Sequence, residues 1–564
     1  MDDDDHEQYE NLNLPTETEV EEQAIARSRY FFGIYRIAKL EDAKLFTMGG
    51  IFFLICYVYS VTKELKDTFV IQRQTAISIQ YLKLVFVPPI ALLGTMIVAK
   101  MLVDHDNRYI LQRFLMGFAI FFCLFSVLSF PFSFSLDFST KSLEDSFADG
   151  KMKYKGTEFY IALITTVLSW TSTVLFVAAE VYGTIVLSLL FLSYANDICP
   201  LKQYLRFLPL LYIMSNIALI MSSFTLFGIG KAVGKLSYRT GKITFSVLFF
   251  SLGIACFATI FLINFLESKI LSRPMFIVEG ERKKKKKEKM SFSEGLKVVA
   301  TSRVAMAICT IVIFYNLSQN MADNSYKSLL QKQKNIKGGG ESYLMGNQWV
   351  SQLITGSCVI IVLLTPVSRV VQLAGWTIAG LMTPIYVILI GSIVFFLAMY
   401  NTGVVGQNGI SFVNNFFSTH RFLHSFSKNK EDKYAIFDWE ETIGKIFVAG
   451  GFKVLKYASF DICKEAISMK IDPRYRSRFK GVYDGICGKL GKSCGAILSI
   501  VFSAIFNITD IREASLVYFV TLIGIFVAWV LFVIYLGSKY NEAVEKNTFI
   551  DVGATSMDKE AKLA

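Results

Sequence analysis

Long apolar runs recur along this chain, and they constrain its fold more than any other feature. A helix needs roughly 20 residues to cross the hydrocarbon core of a bilayer, where the backbone must satisfy its own hydrogen bonds. The runs lie near residues 45–62, 84–102, 112–133, 159–196, 207–228, 244–266, 303–321, 347–366, 373–399, 440–463, 484–508 and 515–538. The run at 159–196 is interpreted as one bent or extended helix. The sequence therefore predicts an all-α polytopic membrane protein with twelve transmembrane helices in two six-helix halves.

The composition indicates lipid as the main solvent. Charged residues make up 18% of the 564 residues, against about 25% in soluble domains, and the mean hydropathy is +0.45. These values exclude a disordered chain, a disulfide-rich secreted domain and a set of soluble enzyme domains. Lysine and arginine outnumber aspartate and glutamate by 58 to 46, which indicates cytoplasmic loops, an anionic leaflet or an anionic solute. A nucleic-acid partner is not expected, because the basic residues are dispersed between apolar runs.

The nine cysteines and four histidines form no pattern of metal ligands. Five of the nine cysteines lie well inside apolar runs, where a thiol behaves as a small hydrophobic side chain, and the other four lie near span ends; neither a CxxC pair nor a Cys/His spacing occurs. We therefore expect no metal site, no disulfide framework and no cofactor. A membrane enzyme such as a lipid-headgroup transferase would need a ligand or His/Asp cluster at a span end, so we also expect that the protein is not an enzyme.

Charges between the runs predict the topology. The first residues, MDDDDHEQYE, are acidic and do not fit a signal or transit peptide. Lys283–Lys287 place the central linker inside the cell together with both termini, and Ser291 with Glu294 match a capping box. The predicted parts are a cytoplasmic tail at 1–43, a six-helix bundle at 44–266, a basic linker at 267–302, a second six-helix bundle at 303–538 and a cytoplasmic tail at 539–564.

A similar fragment ends the fourth and the tenth run. It reads YANDIC at 194–199 and YASFDIC at 457–463, with one extra residue in the second copy. Corresponding fragments in two halves are typical of transporters built from repeats.

The predicted outer loops are basic. Lysine and arginine follow the first, fifth and seventh runs at Lys63, Lys66, Arg73, Lys231, Lys235, Arg239, Lys242, Lys327, Lys332, Lys334 and Lys337. These residues are interpreted either as ordinary solvated loops or as a positive vestibule that concentrates an anionic solute.

Ionisable residues also occur inside the apolar runs, where they cost about 2.5–3.5 kcal/mol each and usually mark a solute pathway. Glu180 shares an arc of roughly 80° with Thr173, Thr184 and Ser188 if each residue turns the helix by about 100°. This pattern predicts a polar stripe along the pathway. The alternative is a carboxylate that meets water at the end of a shorter span.

The tenth run carries four lysines on one predicted face. Lys445, Lys453, Lys456 and Lys464 share an arc of about 100°. They are interpreted as a ladder of ammonium groups that binds a polyanion. The alternative is internal pairing with carboxylates, for which the candidates are Glu180, Asp461 and Glu465.

The segment GKLGKS at 488–493 resembles the end of a phosphate-binding P-loop. Ile486 stands where that motif needs a glycine, and no strand precedes the segment, so a nucleotidase loop is excluded. A helix that starts here can still offer backbone donors and Lys492 to phosphate oxygens.

Several segments together resemble the ATP/ADP translocases, the nucleotide transporters of plastids and obligate intracellular parasites, and most closely those of microsporidia. The segments are Lys66-Asp67-Thr68, EVYGTIVLSLLFLSYAND at 180–197, FYNLSQNMADNSYKSLL at 314–330, GWTIAGLMTP at 375–384, and KYASFDICKEAISMKID and FKGVYDGICGKLGKSCGA between 456 and 496. The resemblance implies a twelve-helix fold similar to the major facilitator superfamily. It also implies exchange of ATP for ADP by alternating access, without hydrolysis.

Four charged positions of that family fall on Lys66, Glu180, Asp323 and Lys492. Asp323 departs from the pattern, since the family usually has glutamate there; aspartate keeps the charge but has a shorter reach. The expected substrate-binding set adds Lys327, Lys453, Lys456 and Asn196 to these four residues. We expect the lysines to neutralise a triphosphate in a cavity between the halves. The acids, together with Asn196, Asn320 and Tyr194, are expected to position the base or couple the gate.

The expected partners are ATP and ADP, with phosphate or other purine nucleotides as further candidates, and the lipid bilayer. We expect a monomer in the plasma membrane of a parasite, with a remnant mitochondrial membrane as the alternative. Strict exchange is expected because an empty carrier would leave buried lysines uncompensated, which slows its reorientation. The alternative function is proton-coupled or net import of nucleotides or organic anions by the same fold.

Overall fold

The structure describes most residues of the apolar runs. The computed structural model describes residues 17–30, 37–129, 136–138, 158–199, 201–235, 238–272, 302–364, 371, 374–402, 435–471, 483, 487–506, 508, 510–546 and 548–550. The acidic first residues, Lys283–Lys287 and the capping box at 291–294 lie outside the described residues.

Helices dominate the described residues, whose only β-structure is a single bridge between Ile471 and Ile550. Eleven of the helices in these ranges are long and apolar enough to cross a membrane. They are α1 (Lys39–Arg73), α2 (Ser78–Leu102), α3 (Asn107–Val127), α4 (Trp170–Ile198), α5 (Arg206–Lys235), α6 (Ile243–Ile270), α7 (Arg303–Lys337), α8 (Gly340–Leu364), α9 (Trp376–Asn401), α10 (Gly488–Phe506) and α11 (Ile511–Glu545). The prediction of an all-α polytopic membrane protein is confirmed.

The predicted tenth span at 440–463 lies within a helical stretch that is not among the eleven. This stretch, here called the charged segment, runs from Ala435 to Met469 and contains two π-helical parts, Gly444–Gly451 and Lys456–Phe460. Its acidic and basic side chains make it less apolar than the eleven spans. Twelve transmembrane helices, and a likeness to the major facilitator superfamily, therefore stay predictions.

Several helices continue well beyond the apolar runs that predict them. Helix α1 continues to Arg73, α5 to Lys235 and α7 to Lys337. The placement of basic residues in outer loops was therefore wrong for Lys63, Lys66, Arg73, Lys231, Lys235, Lys327, Lys332, Lys334 and Lys337, all of which lie on these helices. The reason is that an apolar run stops at the first charged residue, whereas a helix continues wherever that residue finds a partner or water.

The chain divides into two compact units. The first unit comprises residues 1–65, 89–136 and 177–288, and the second comprises 66–88, 137–176 and 289–564. The divisions fall inside α1, α2 and α4, so the end of α1 and the start of α2 pack with helices of the second half of the sequence.

The first unit contains a buried polar network at the start of α1. The Lys44 ammonium donates to the Ile198 carbonyl at 2.6 Å and to Gln203 Oε1 at 2.7 Å. Glu41 Oε1 accepts hydrogen bonds from Gln203 at 2.7 Å and from Arg206 at 2.9 Å. These bonds hold the beginning of α1 against the chain between α4 and α5, because an unpaired buried charge would be costly.

In the second unit, Arg512 at the start of α11 is the largest buried cation. Its guanidinium is fully buried and contacts Asp510 at 2.6 Å and Glu440 at 3.2 Å. Asn401 at the end of α9 donates to the same Glu440 at 2.6 Å. Burial acts to raise the pKa of Asp510, but the hydrogen bonds and charge of Arg512 outweigh it and hold that pKa below its ordinary value. The network ties α9, α11 and the charged segment together.

We predict that Arg512→Met destabilises the protein by about 3–5 kcal/mol, because it leaves the buried Glu440 carboxylate without its cation. The measurement is the melting temperature of the purified protein in detergent. Adding Glu440→Met to Arg512→Met should recover part of the loss, since removing both partners leaves one fewer unpaired buried charge. Lys546→Met, at an exposed ion pair beyond α11, serves as the control. Equal melting temperatures for Arg512→Met and Lys546→Met would contradict the prediction.

Candidate functional site

The end of α1, the start of α2 and the middle of α7 bring five ionisable side chains together in the second unit. We call Lys66, Asp67, Lys83, Asp323 and Lys327 the charged cluster. The Asp67 carboxylate binds a different lysine with each oxygen: Lys66 Nζ lies 2.8 Å from Oδ1, and Lys327 Nζ lies 2.8 Å from Oδ2. Lys327 Nζ also lies 2.8 Å from Asp323 Oδ2. The predicted residues Lys66 and Lys327 therefore meet through Asp67, and the predicted residue Asp323 joins them through Lys327.

Helix geometry explains how these pairs form. Asp323 and Lys327 are four residues apart on α7, a spacing that places them on the same face of the helix. Lys66 is 2% exposed, and its ammonium lies 3.8 Å from the centre of the Phe176 ring, a cation–π contact. Asp323 is the more open side of the cluster, with 30% of its side chain exposed.

Lys83 on α2 adds a third cation to the cluster. It is half-buried, and its charge interacts with those of Asp67, Asp323, Lys327 and Lys66. With three lysines against two aspartates, the charged cluster carries an excess of one positive charge when all five groups are ionised. The expectation that the empty protein leaves its buried lysines uncompensated was wrong for Lys66 and Lys327, since Asp67 and Asp323 pair with them.

Further hydrogen bonds surround the cluster along α7. Asn324 accepts from Gln80 on α2 and donates to Asn320 at 2.7 Å and to Ser499 at 2.7 Å. Closer to the end of α7, Gln331 accepts from the Ala76 amide at 2.6 Å. These bonds fix the face of α7 that carries Asp323 and Lys327.

Lys492 lies in the first turns of α10, the helix that packs against α7. The Lys492 carbonyl accepts a hydrogen bond from Asn320 at 3.3 Å, and its side chain is exposed. Two glycines allow the close approach: a Cβ at Gly491 would lie 2.7 Å from the Ile313 oxygen, and one at Gly495 would lie 2.8 Å from the Asn320 Cβ. Gly491 of the P-loop-like segment and Gly495, four residues later, thus form a small-xxx-small helix contact. Through Asn320 and Asn324, α10 is linked to the polar face of α7.

Lys453 and Lys456 are half-buried in the charged segment. Lys456 Nζ lies 4.0 Å from Asp461, which also pairs with Lys464 at 2.9 Å, and Lys445 pairs with Glu441 at 3.6 Å. Pairing with Asp461 is the alternative that the sequence left open. A π-helical turn holds more residues than an α-helical turn, so the arc calculated for a regular α-helix does not describe this segment.

Glu180 and Asn196 belong to the first unit. Glu180 is half-buried at the end of the α-helical part of α4, directly before a π-helical stretch, Tyr182–Phe191. The Ser188 hydroxyl donates to the Gly183 carbonyl, five residues earlier, at 2.9 Å. Asn196 is exposed near the end of α4, and the buried Tyr194 donates to Glu267 at 3.0 Å. π-helical turns within longer helices are frequent at functional sites.

Sequence reasoning missed Asp67 and Lys83. Asp67 stands inside the Lys66-Asp67-Thr68 motif, but its role as the carboxylate shared by two lysines depends on α7, far away in the sequence. Lys83 directly precedes the apolar run at 84–102, so the search for ionisable residues inside the runs, which singled out Glu180, stopped one residue short of it. Among the described residues, no group of three or more His, Cys, Asp or Glu side chains is placed to hold a metal ion.

Comparison with known proteins places this arrangement in a family. A family model described as "TLC ATP/ADP transporter" matches residues 18–540, nearly the whole chain. The chain belongs to the TLC ATP/ADP transporter family. The charged cluster, the polar face of α7 and Lys492 are thus features of a member of the TLC ATP/ADP transporter family.

Relatives of this TLC transporter match along most of their length. The chain is 34% identical to "ADP,ATP carrier protein 1" of Encephalitozoon cuniculi, over 97% of this chain and 96% of the relative. It is 33% identical to "ADP,ATP carrier protein 1" of Paranosema grylli, again over 97% and 96%. A bacterial relative, "ADP,ATP carrier protein 1" of Rickettsia prowazekii, is 24% identical over 91% of this chain and 96% of the relative.

The helix contact that positions Lys492 yields a prediction. Gly491→Ala should destabilise the transporter by about 1–3 kcal/mol, because the added methyl meets a backbone oxygen of α7 that cannot move aside. Gly524→Ala on α11 is the matched control, since nothing lies within 4 Å of a Cβ there. Melting temperatures of the two variants in detergent provide the measurement. A Gly491→Ala protein as stable as Gly524→Ala would show that α10 does not depend on this contact.

Proposed function

We propose that this transporter exchanges ATP for ADP across a membrane by alternating access, and that it imports host ATP into an intracellular parasite. The observation that carries the proposal is the family match over residues 18–540, together with relatives named as ADP,ATP carriers. The chemistry of the second unit supports it, because lysines on neighbouring helices suit the phosphates of a nucleotide.

In this proposal, the phosphate groups bind Lys66, Lys327 and Lys492, and Lys453 and Lys456 add positive charge along the pathway. Asp323 lies on the more open side of the charged cluster, where a phosphate that enters would meet Lys327. Glu180 and Asn196 of the first unit, with Asn320 and Tyr194, position the base or couple binding to the change of conformation. Nothing in this scheme cleaves a phosphoanhydride bond, since the substrate is moved and not converted.

We place the transporter in the plasma membrane of the parasite as a monomer, with both termini in the cytoplasm. The proposed organisation is two six-helix bundles, 44–266 and 303–538, joined by the basic linker at 267–302. The excess of lysine and arginine in that linker supports the orientation. The microsporidian relatives support a parasite as the source.

The first test is uptake of labelled ATP into vesicles that contain the purified protein. We expect uptake when the vesicles are preloaded with ADP and little uptake when they are empty, because a strict exchanger needs a nucleotide to leave for each one that enters. Comparable uptake into empty vesicles would favour the alternative, net import driven by another ion. No uptake in either case, from folded protein, would overturn the nucleotide assignment.

The phosphate-binding lysines yield a second test. Lys492→Met and Lys66→Met should each raise the KM for ATP by about 10- to 100-fold, because each removes a charge-assisted contact that is worth about 1.5–3 kcal/mol. Initial rates of exchange over a range of ATP concentrations measure the effect, with Lys546→Met as the control for loss of a lysine. Unchanged KM values for both variants would remove Lys66 and Lys492 from the site.

A further inference from the structure

Asp67 makes the contacts with Lys66 and Lys327 that the proposed function assigns to a phosphate. Its two carboxylate oxygens each lie 2.8 Å from an ammonium group, one from α1 and one from α7, and the side chain is almost completely buried. A carboxylate and a phosphate accept hydrogen bonds from ammonium groups in the same geometry. A phosphate that binds Lys66 and Lys327 would therefore compete with Asp67 for their positive charge.

The rest of the charged cluster is arranged to tolerate that competition. Lys327 has a second carboxylate partner in Asp323, and Lys83 is a further cation whose charge acts on Asp67. If a phosphate draws Lys66 and Lys327 away, an ionised Lys83 still offsets part of the charge of Asp67. A buried carboxylate with no cation nearby would instead be too costly to displace.

We propose that Asp67 is a built-in competitor of the substrate, a carboxylate that holds Lys66 and Lys327 while the site is empty and is displaced by the phosphates of the nucleotide. This inference rests on the proposed function and adds a positioning residue to it. Because Asp67 on α1 binds Lys327 on α7, its displacement also breaks an ion pair between these two helices. Substrate binding in this way weakens the contact between α1 and α7, which also share the hydrogen bond from Lys334 to the Ile71 carbonyl at 3.0 Å.

If Asp67 competes with the substrate, removal of its charge should strengthen ATP binding, whereas removal of an ordinary binding residue weakens it. Asp67→Asn keeps the shape of the side chain but removes its charge, which raises the excess positive charge of the cluster from one to two. The Kd for ATP, and for inorganic pyrophosphate as a probe without a base, should therefore fall by about tenfold. In exchange assays, the KM for ATP should fall and the maximal rate should fall with it, because the tighter complex releases its substrate slowly. Titration of the purified protein in detergent measures the two Kd values.

Two further variants separate competition from a structural role. Asp67→Glu keeps the competing carboxylate and should hold the Kd for ATP within about threefold of the parent value. Asp438→Asn removes a carboxylate that pairs with Lys337 of α7 at 2.7 Å in an exposed position, and it should leave both Kd values unchanged. If Asp67 had only a structural role, Asp67→Asn would lower the melting temperature without lowering the Kd for ATP.

The outcomes distinguish this inference from the proposed function. If the parent protein exchanges ATP for ADP but Asp67→Asn binds ATP with equal or weaker affinity, Asp67 is not a competitor and the inference fails alone. If Asp438→Asn tightens binding as much as Asp67→Asn, a general charge effect replaces the specific one and the inference also fails. If the parent protein neither binds nor exchanges ATP, the proposed function fails, and the inference fails with it.

Discussion

The scarcity of water in the hydrocarbon core is the constraint on which the rest of this structure depends. Backbone groups there must bond to one another, which makes every candidate span a helix. Charged side chains inside the bundle must find partners in the protein, because a lone buried ion is far more costly than a paired one. The Arg512 network, the Lys44 network and the charged cluster are three solutions to that second requirement, each joining residues that are distant in the sequence.

The Arg512 network and the charged cluster differ in the sign of their excess charge, because acids outnumber the cation in the first and cations outnumber the acids in the second. Arg512 is enclosed by the carboxylates of Asp510 and Glu440, an arrangement suited to holding helices together. The charged cluster has more lysines than aspartates, includes a half-buried cation in Lys83 and is more open at Asp323. An unbalanced, partly accessible set of cations is suited to a polyanionic solute. The same pairing rule thus produces a rigid joint at one place and a candidate binding site at another.

Much of the fold could be read from apolar runs, because hydrophobic length alone decides whether a helix can cross a bilayer. The helix ends could not be predicted from the apolar runs. Helices α1 and α7 continue through charged residues that are stabilised by each other and by polar neighbours. The angular position of the lysines in the charged segment was also beyond reach. It depends on π-helical turns, and the spacing of residues in the sequence does not show where these turns occur. The predicted span at 440–463 also stays a prediction, because that segment carries many charges and is less apolar than the eleven spans.

The sequence by itself determined the solvent, the helical class and the chemical character of the site, because apolar length, positive excess and intramembrane charges are properties of composition and order along the chain. The resemblance to the ATP/ADP translocases also pointed to Lys66, Asp323 and Lys492, and the expected binding set added Lys327. Only the tertiary structure decided which charges meet. Asp67 binds lysines on two helices, and Lys83 joins them from a third, since ion pairs depend on distances in space that the packing of α1, α2 and α7 sets.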